Sequence, residues 1–153
     1  MTQMTYLLDA EPLGLLAHSR STARLPIQSW VYQQLQDGNT VLISEVADYE
    51  VRRELIRLIQ KQQLPASRLT RLDALQSFCP LTLLTHSNWQ QAAELWASMR
   101  NQGIPTSELA SLDADVLVIS QTLELDATVV TVNPKHFEVH CKTLAWPIGS
   151  PSP

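Results

Sequence analysis

Short apolar blocks alternate along this chain with longer stretches in which apolar residues recur every three or four positions. Thr5 to Leu8 (TYLL), Val41 to Ile43, Leu81 to Thr85 and Ala127 to Val132 are β-prone runs bounded by turn residues, with Leu144 to Trp146 as a short fifth. Runs of this length and composition read as buried strands. Pro12 and Gly14 break the pattern after the first run, and Asp37-Gly38-Asn39 is a turn before the second. Helical spacing is expected over Ile27 to Leu35 and over Ser44 to Gln63, where Val51, Leu55, Leu58, Ile59 and Gln62 form the stripe. Leu69, Leu72, Leu75 and Phe78 mark a further helix. In Trp89 to Arg100 the stripe is Ala92, Ala93, Leu95, Trp96 and Met99; Ser87 or Asn88 caps it and Asn101-Gln102-Gly103 ends it.

The remaining helix is unusual. Ser111 to Gln121 (SLDADVLVISQ) opens with two aspartates and continues through the wholly apolar Val116-Leu117-Val118-Ile119. Such a run is buried on several sides, and Asp115 stands at its threshold, where a charge is costly to desolvate unless something pairs with it. Strands alternating with helices imply right-handed crossovers and a parallel sheet covered on both faces. The expectation is one α/β domain over residues 1–149, with 150–153 as a flexible tail.

Composition narrows the reading only a little. The chain has 153 residues, enough for one domain with a real core, and 44% of them are hydrophobic. Nothing approaches the roughly 20 apolar residues of a membrane span, and the N-terminus lacks a signal-peptide layout, so a cytoplasmic protein is expected. Cys79 and Cys141 read as small hydrophobes. The formal charge of −4 argues against nucleic acid until its distribution is considered: of eleven Lys and Arg, six (Arg52, Arg53, Arg57, Lys61, Arg68, Arg71) cluster. A local basic surface beside an acidic pocket is compatible with the total.

In parallel sheets, sites form outside the carboxyl ends of the strands. Four residues qualify: Asp9 ends the first strand, Glu50 lies on the helix after the second, Asp115 opens the buried helix, and Asn133 follows the fourth strand. Three acids and a carboxamide in one cleft would repel without an oxygen-preferring cation such as Mg²⁺ or Mn²⁺. Each also has a plainer reading. Asp9 could form a turn, Asn133-Pro134 is a natural turn dipeptide, and Glu50 could pair with Arg53 along the stripe Glu50, Arg53, Arg57, Lys61. The same stripe would suit a phosphate chain leading from metal ions onto cations. Residues two apart on a helix face different ways, so Asp115 is assigned to the cleft and Asp113 to the cap or to a secondary ligand. The four histidines show no mutual ligand spacing and read as surface residues, and Trp89 and Trp96 read as core.

Taken together, YLLDAEPL, ISEVADYEVRREL, LDADVLVISQTLEL and VVTVNPKHF resemble, in order and spacing, the segments of a PIN domain, most nearly those of the VapC-type toxins of bacterial toxin–antitoxin pairs. The resemblance spans nearly the whole chain. It implies a three-layer α/β/α sandwich with Asp9, Glu50, Asp115 and Asn133 around one or two Mg²⁺ or Mn²⁺ ions, and metal-dependent endoribonuclease activity. It also implies a small antitoxin partner and a homodimer. In that scheme Asp9, Asp115 and Glu50 hold metal, Arg53 and Arg57 bind the RNA backbone, and Thr131 positions a ligand. Two departures stand out: Ala10-Glu11 where the family often has Thr-Asn, and Asn133 where an acid is common. The alternative is a PIN-like module that binds RNA or protein without cutting.

Overall fold

The computed structural model describes residues 2–103 and 109–149, with backbone alone at 109–111. Five strands form one all-parallel sheet: β1 (Thr5–Leu8), β2 (Thr40–Ser44), β3 (Leu81–Thr82), β4 (Thr128–Thr131) and β5 (Thr143–Ala145), in the order β3-β2-β1-β4-β5. Six helices are described: α1 (Ala10–Leu16), α2 (Ser21–Gln36), α3 (Glu45–Gln60), α4 (Ser67–Ala74), α5 (His86–Asn101) and α6 (Leu109–Glu124). The chain leaves central β1 to build β2 and β3 on one side, then returns to add β4 and β5 on the other. The carboxyl ends of β1 and β4 therefore flank the crevice that such a reversal of strand order opens.

Alternation along the strands builds the two outer layers. Leu8, Val41, Ile43 and Val130 face Leu13, Leu16, Ile27, Val31, Leu55 and Leu72 from α1 to α4. Leu7 and Val129 face the opposite way, against Ala92 of α5 and Val116, Val118 and Ile119 of α6. The result is the expected three-layer α/β/α sandwich with a PIN-like arrangement. Each fully buried aliphatic side chain of these clusters contributes about 1.5–3 kcal/mol.

Several local expectations change. Pro12 and Gly14 lie inside α1: Pro12 falls in the first turn, where a missing N–H leaves no intrahelical bond unmade, and Gly14 faces Val51 of α3. The second helix begins at Ser21 and runs through Pro26. The cap of α5 is Thr85, not Ser87 or Asn88; its hydroxyl accepts from the Asn88 backbone while the Asn88 side chain accepts from the Thr85 N–H. Asn88 is then drawn inward to Ser120 and Glu124 of α6. That sets the buried stripe of α5 at Asn88, Ala92, Leu95 and Met99. Trp89 and Trp96 fall one position off it and are 53% and 38% exposed, so neither is a core residue. The sixth helix, Leu109–Glu124, already contains Asp113, which removes that residue as its cap.

Ser44 joins the layers. As N-cap of α3 it accepts from Val46 and Ala47, and its hydroxyl donates to Gln121 of α6 at 2.7 Å. Gln121 in turn donates to the Thr82 carbonyl on β3. No described helix is long and apolar enough to cross a membrane. The expected tail, 150–153, lies outside the described residues.

Candidate active site

Asp9 directly follows β1, and its backbone N–H continues the sheet by donating to Val130 O of β4 at 3.0 Å. The carboxylate is fixed from the adjacent strand: Thr131 Oγ1 donates to Asp9 Oδ2 at 2.8 Å and accepts the Asn133 N–H at 3.1 Å. Thr131 is fully buried and its hydroxyl is committed to these two partners, so it holds Asp9 rather than meeting a substrate. Thr131 was expected to position a ligand, and the group it holds is Asp9.

Asp9 borders a cleft of 590 Å³, and Glu50, Asp115 and Asn133 border the same cleft. The four residues singled out in the sequence therefore share one opening at the carboxyl end of the sheet, each on a different element. Glu50 comes from the second turn of α3, whose start is set by the Ser44 cap. Asp115 comes from α6, anchored by the apolar run behind it.

These carboxylates feel one another. Burial raises the Asp9 pKa against the hydrogen bonds from Thr131 and the Ala10 N–H and the nearby His136. Burial, and then the charge of Asp9, raise that of Glu50, with Arg53 opposing. Asp115 is pushed up to about 6, first by burial and then by Asp9, while His136 works the other way. Desolvation together with like charge is the usual origin of such upward shifts, and perturbed carboxyls in a cleft mark a functional-site candidate.

His136 was not anticipated. It sits on the single helical turn Pro134–His136 after Asn133, and its Nδ1 lies 3.1 Å from Asp115 Oδ2. Its signal in the sequence was position, five residues past the end of β4, rather than spacing to another histidine. Arg68 of α4 and His18 also border the cleft, and nothing local in the sequence indicated either.

Other expected residues lie elsewhere. Asp113 is exposed and borders a neighbouring groove with Tyr49, Glu50, Arg53 and Trp89, on a different face of α6 from Asp115. Arg53 stacks over Tyr49 at 5.0 Å and lies 3.8 Å from Glu50, the ion pair foreseen as the plainer reading of that stripe. Arg57 is held by Glu54 on the exposed face and does not border the cleft. Arg52 is bound to Asp48 and Asp73.

The cleft thus offers three carboxylates and a carboxamide, all oxygen donors of the kind hard divalent cations prefer. Among the described residues no three His, Cys, Asp or Glu side chains are yet drawn together closely enough to enclose an ion. Like charges in one cleft repel, and a dication relieves that repulsion.

No family model matches the sequence, and no curated protein matches it. Solved structures do. A chain of VapBC2 from Rickettsia felis, in a structure bound to a DNA fragment from its promoter, superposes with a TM-score of 0.69 at 18% identity over 94% of this chain and 99% of that one. VapBC-1 from nontypeable Haemophilus influenzae gives 0.65 at 15% identity over 94% and 98%. FitAcB from Neisseria gonorrhoeae gives 0.64 at 13% identity over 90% and 95%. At these identities the likeness is one of fold: the chain has the PIN-like fold found in these complexes.

Proposed function

We propose that this chain is a Mg²⁺- or Mn²⁺-dependent endoribonuclease acting as the toxin of a toxin–antitoxin pair. The observation that carries the proposal is the meeting of Asp9, Glu50 and Asp115 in one cleft at the carboxyl ends of β1 and β4, where Asp9 raises the proton affinity of Glu50 and both raise that of Asp115. Three mutually repelling carboxylates have little structural use and cost stability. They suit the binding of divalent cations beside a phosphodiester.

In this reading Asp9 and Asp115 hold the ion, Glu50 holds it or a second one, and Asn133 contributes a neutral oxygen. A bound ion of this kind lowers the pKa of water and offsets charge developing on phosphoryl oxygens. The rest falls to the chain itself. Thr131 fixes Oδ2 of Asp9. His136, with Nδ1 against Asp115 Oδ2, orients that carboxylate. The bond from the Asn133 N–H to Thr131 sets where the carboxamide begins.

The VapBC and FitAB assemblies, which share the fold, support a small antitoxin as partner. The homodimer implied by the resemblance and the cytoplasmic location expected from the sequence belong to the same proposal. Cleavage of single-stranded RNA in Mn²⁺ should be abolished by Asp9→Asn, with the circular dichroism spectrum unchanged, and by excess EDTA. Undiminished cleavage in either case overturns the nuclease reading.

A binding module without cleavage is the second reading, favoured by the neutral Asn133 and by carboxylates that do not yet enclose an ion. Calorimetric titration with Mn²⁺ separates the two. The nuclease has a site lost in both Asp9→Asn and Asp115→Asn, whereas the binding module has none.

A further inference from the structure

Arg68, at the second position of α4, is the one Lys or Arg that borders the cleft. The other arginines of the basic cluster on α3 are taken: Arg52 by Asp48 and Asp73, Arg53 by Tyr49 and Glu50, Arg57 by Glu54. No carboxylate among the described residues pairs with Arg68, although Glu11 and Glu54 border the same cleft. Its Nε is, among the described residues, the only buried side-chain nitrogen or oxygen that lacks a hydrogen-bond partner. A buried donor left unmade costs free energy, so its persistence beside an open cleft calls for an acceptor supplied from outside.

The surroundings describe that acceptor. The pKa of His18, beside Arg68, is lowered first by burial and then by the positive charges of Arg68, Arg20 and Arg24, so this end of the cleft carries a positive field. Asp9 stands before the first residue of α1 and His18 beyond its last, so that carboxylate and the positive field lie toward opposite ends of the helix. Gly14 and Leu15, between them on α1, and Val51 and Leu55 of α3 add apolar lining to the cleft. A ligand satisfying all three regions has one anionic group among the carboxylates and their cations, an uncharged ring system in the middle, and a second anionic group at Arg68. A single RNA strand has that repeat.

We propose that Arg68 binds a backbone phosphate flanking the scissile one, so that the nucleotide between them lies over that apolar lining. The planar guanidinium suits a phosphate through paired N–H donors. This assignment rests on the nuclease reading for the scissile phosphate, but the Arg68 contact is measured separately.

The test is binding of a fluorescein-labelled single-stranded oligoribonucleotide, followed by anisotropy over a KCl series in Mg²⁺. The non-cleaving Asp9→Asn protein serves as background. Adding Arg68→Gln should weaken binding roughly tenfold. It should also reduce the slope of log K against log salt by about 0.7, the value for one phosphate contact to a single strand. Arg68→Lys should restore the slope and only part of the affinity. Lys142→Gln, which removes an exposed cation that is paired with Asp126 and does not border the cleft, should leave the salt slope and the affinity nearly unaltered. A loss of affinity with the slope unaltered in Arg68→Gln means a structural role and overturns the proposal. Affinity and slope both unaltered also overturn it and turn the unpaired guanidinium toward a carboxylate-bearing protein partner. Loss of binding in Arg68→Gln alongside a wild-type chain that never cleaves would sink the nuclease reading and leave the phosphate contact standing.

Discussion

Replacing Asp115 by Asn should make the metal-free protein more stable while removing its proposed activity. Asparagine keeps the shape of the side chain and can still accept a hydrogen bond from His136, but it carries no charge into the space shared with Asp9 and Glu50. The magnitude follows from the carboxyl itself. Moving its pKa from 3.8 to about 6 on folding makes the ionised form less stable in the native state by about 3 kcal/mol. Because the folded protein holds the proton more tightly than the unfolded chain, this penalty is absent well below pH 3.8. It grows as pH rises through the window from 3.8 to about 6 and is complete above it. Allowing for relaxation of the cleft, Asp115→Asn should gain about 1–3 kcal/mol at pH 8 in EDTA, or roughly 3–10 °C in Tm for a domain of this size. At pH 4 the gain should shrink to about 0.5 kcal/mol, since most of the wild-type carboxyl is then protonated. Mn²⁺ should reverse the order, raising the wild-type Tm through mass action and leaving the variant almost unmoved. Thermal unfolding by circular dichroism at the two pH values checks all of this. A variant that melts at or below wild type at pH 8, or one whose gain is the same at pH 4, refutes the view that burial and repulsion set the state of Asp115.

Thr131→Val removes the hydroxyl that holds Asp9 Oδ2 and leaves the Asn133 N–H without its acceptor, so urea unfolding should show a loss of about 1–3 kcal/mol. It also removes the strongest influence lowering the Asp9 pKa, so Mn²⁺ affinity measured by calorimetry should fall, more at pH 6 than at pH 8. Ser44→Ala strips the cap from α3 and orphans Gln121. A loss of about 2–3 kcal/mol in urea, at unchanged m-value, is expected, and a loss below 0.5 kcal/mol would show that the buried contact is replaced by water.

The strands, their parallel pairing and the four candidate residues of the cleft were all legible in the amino-acid sequence, for a local reason. A buried strand needs an unbroken apolar run, and a polar residue placed at its end or at the head of a buried helix stands out against its neighbours. Asp9 after TYLL and Asp115 before VLVIS are conspicuous in this way, and helix periodicity alone was enough to separate Asp115 from Asp113. Helix boundaries were less legible, because Pro12 and Gly14 act as breakers only where their missing N–H or Cβ matters, and in α1 neither does.

What the tertiary structure decided depends on contacts between distant segments. Trp89 and Trp96 share the 3.6-residue spacing of a buried face, yet Asn88 turns α5 by its bonds to Ser120 and Glu124, and both rings are left in solvent. Thr131 was expected to position a ligand, and only the packed sheet shows that its hydroxyl holds Asp9, a residue 122 positions away. His136 gained its place only through Asp115, and Arg68 is one of six cations in its stretch of chain until packing pairs the arginines of α3 and leaves it alone at the cleft. Sequence pattern determines which residues are buried, because burial follows composition and period. Which polar group meets which is a property of the packed sheet and its two layers, and in this protein that packing turns four separate acceptors into one cleft.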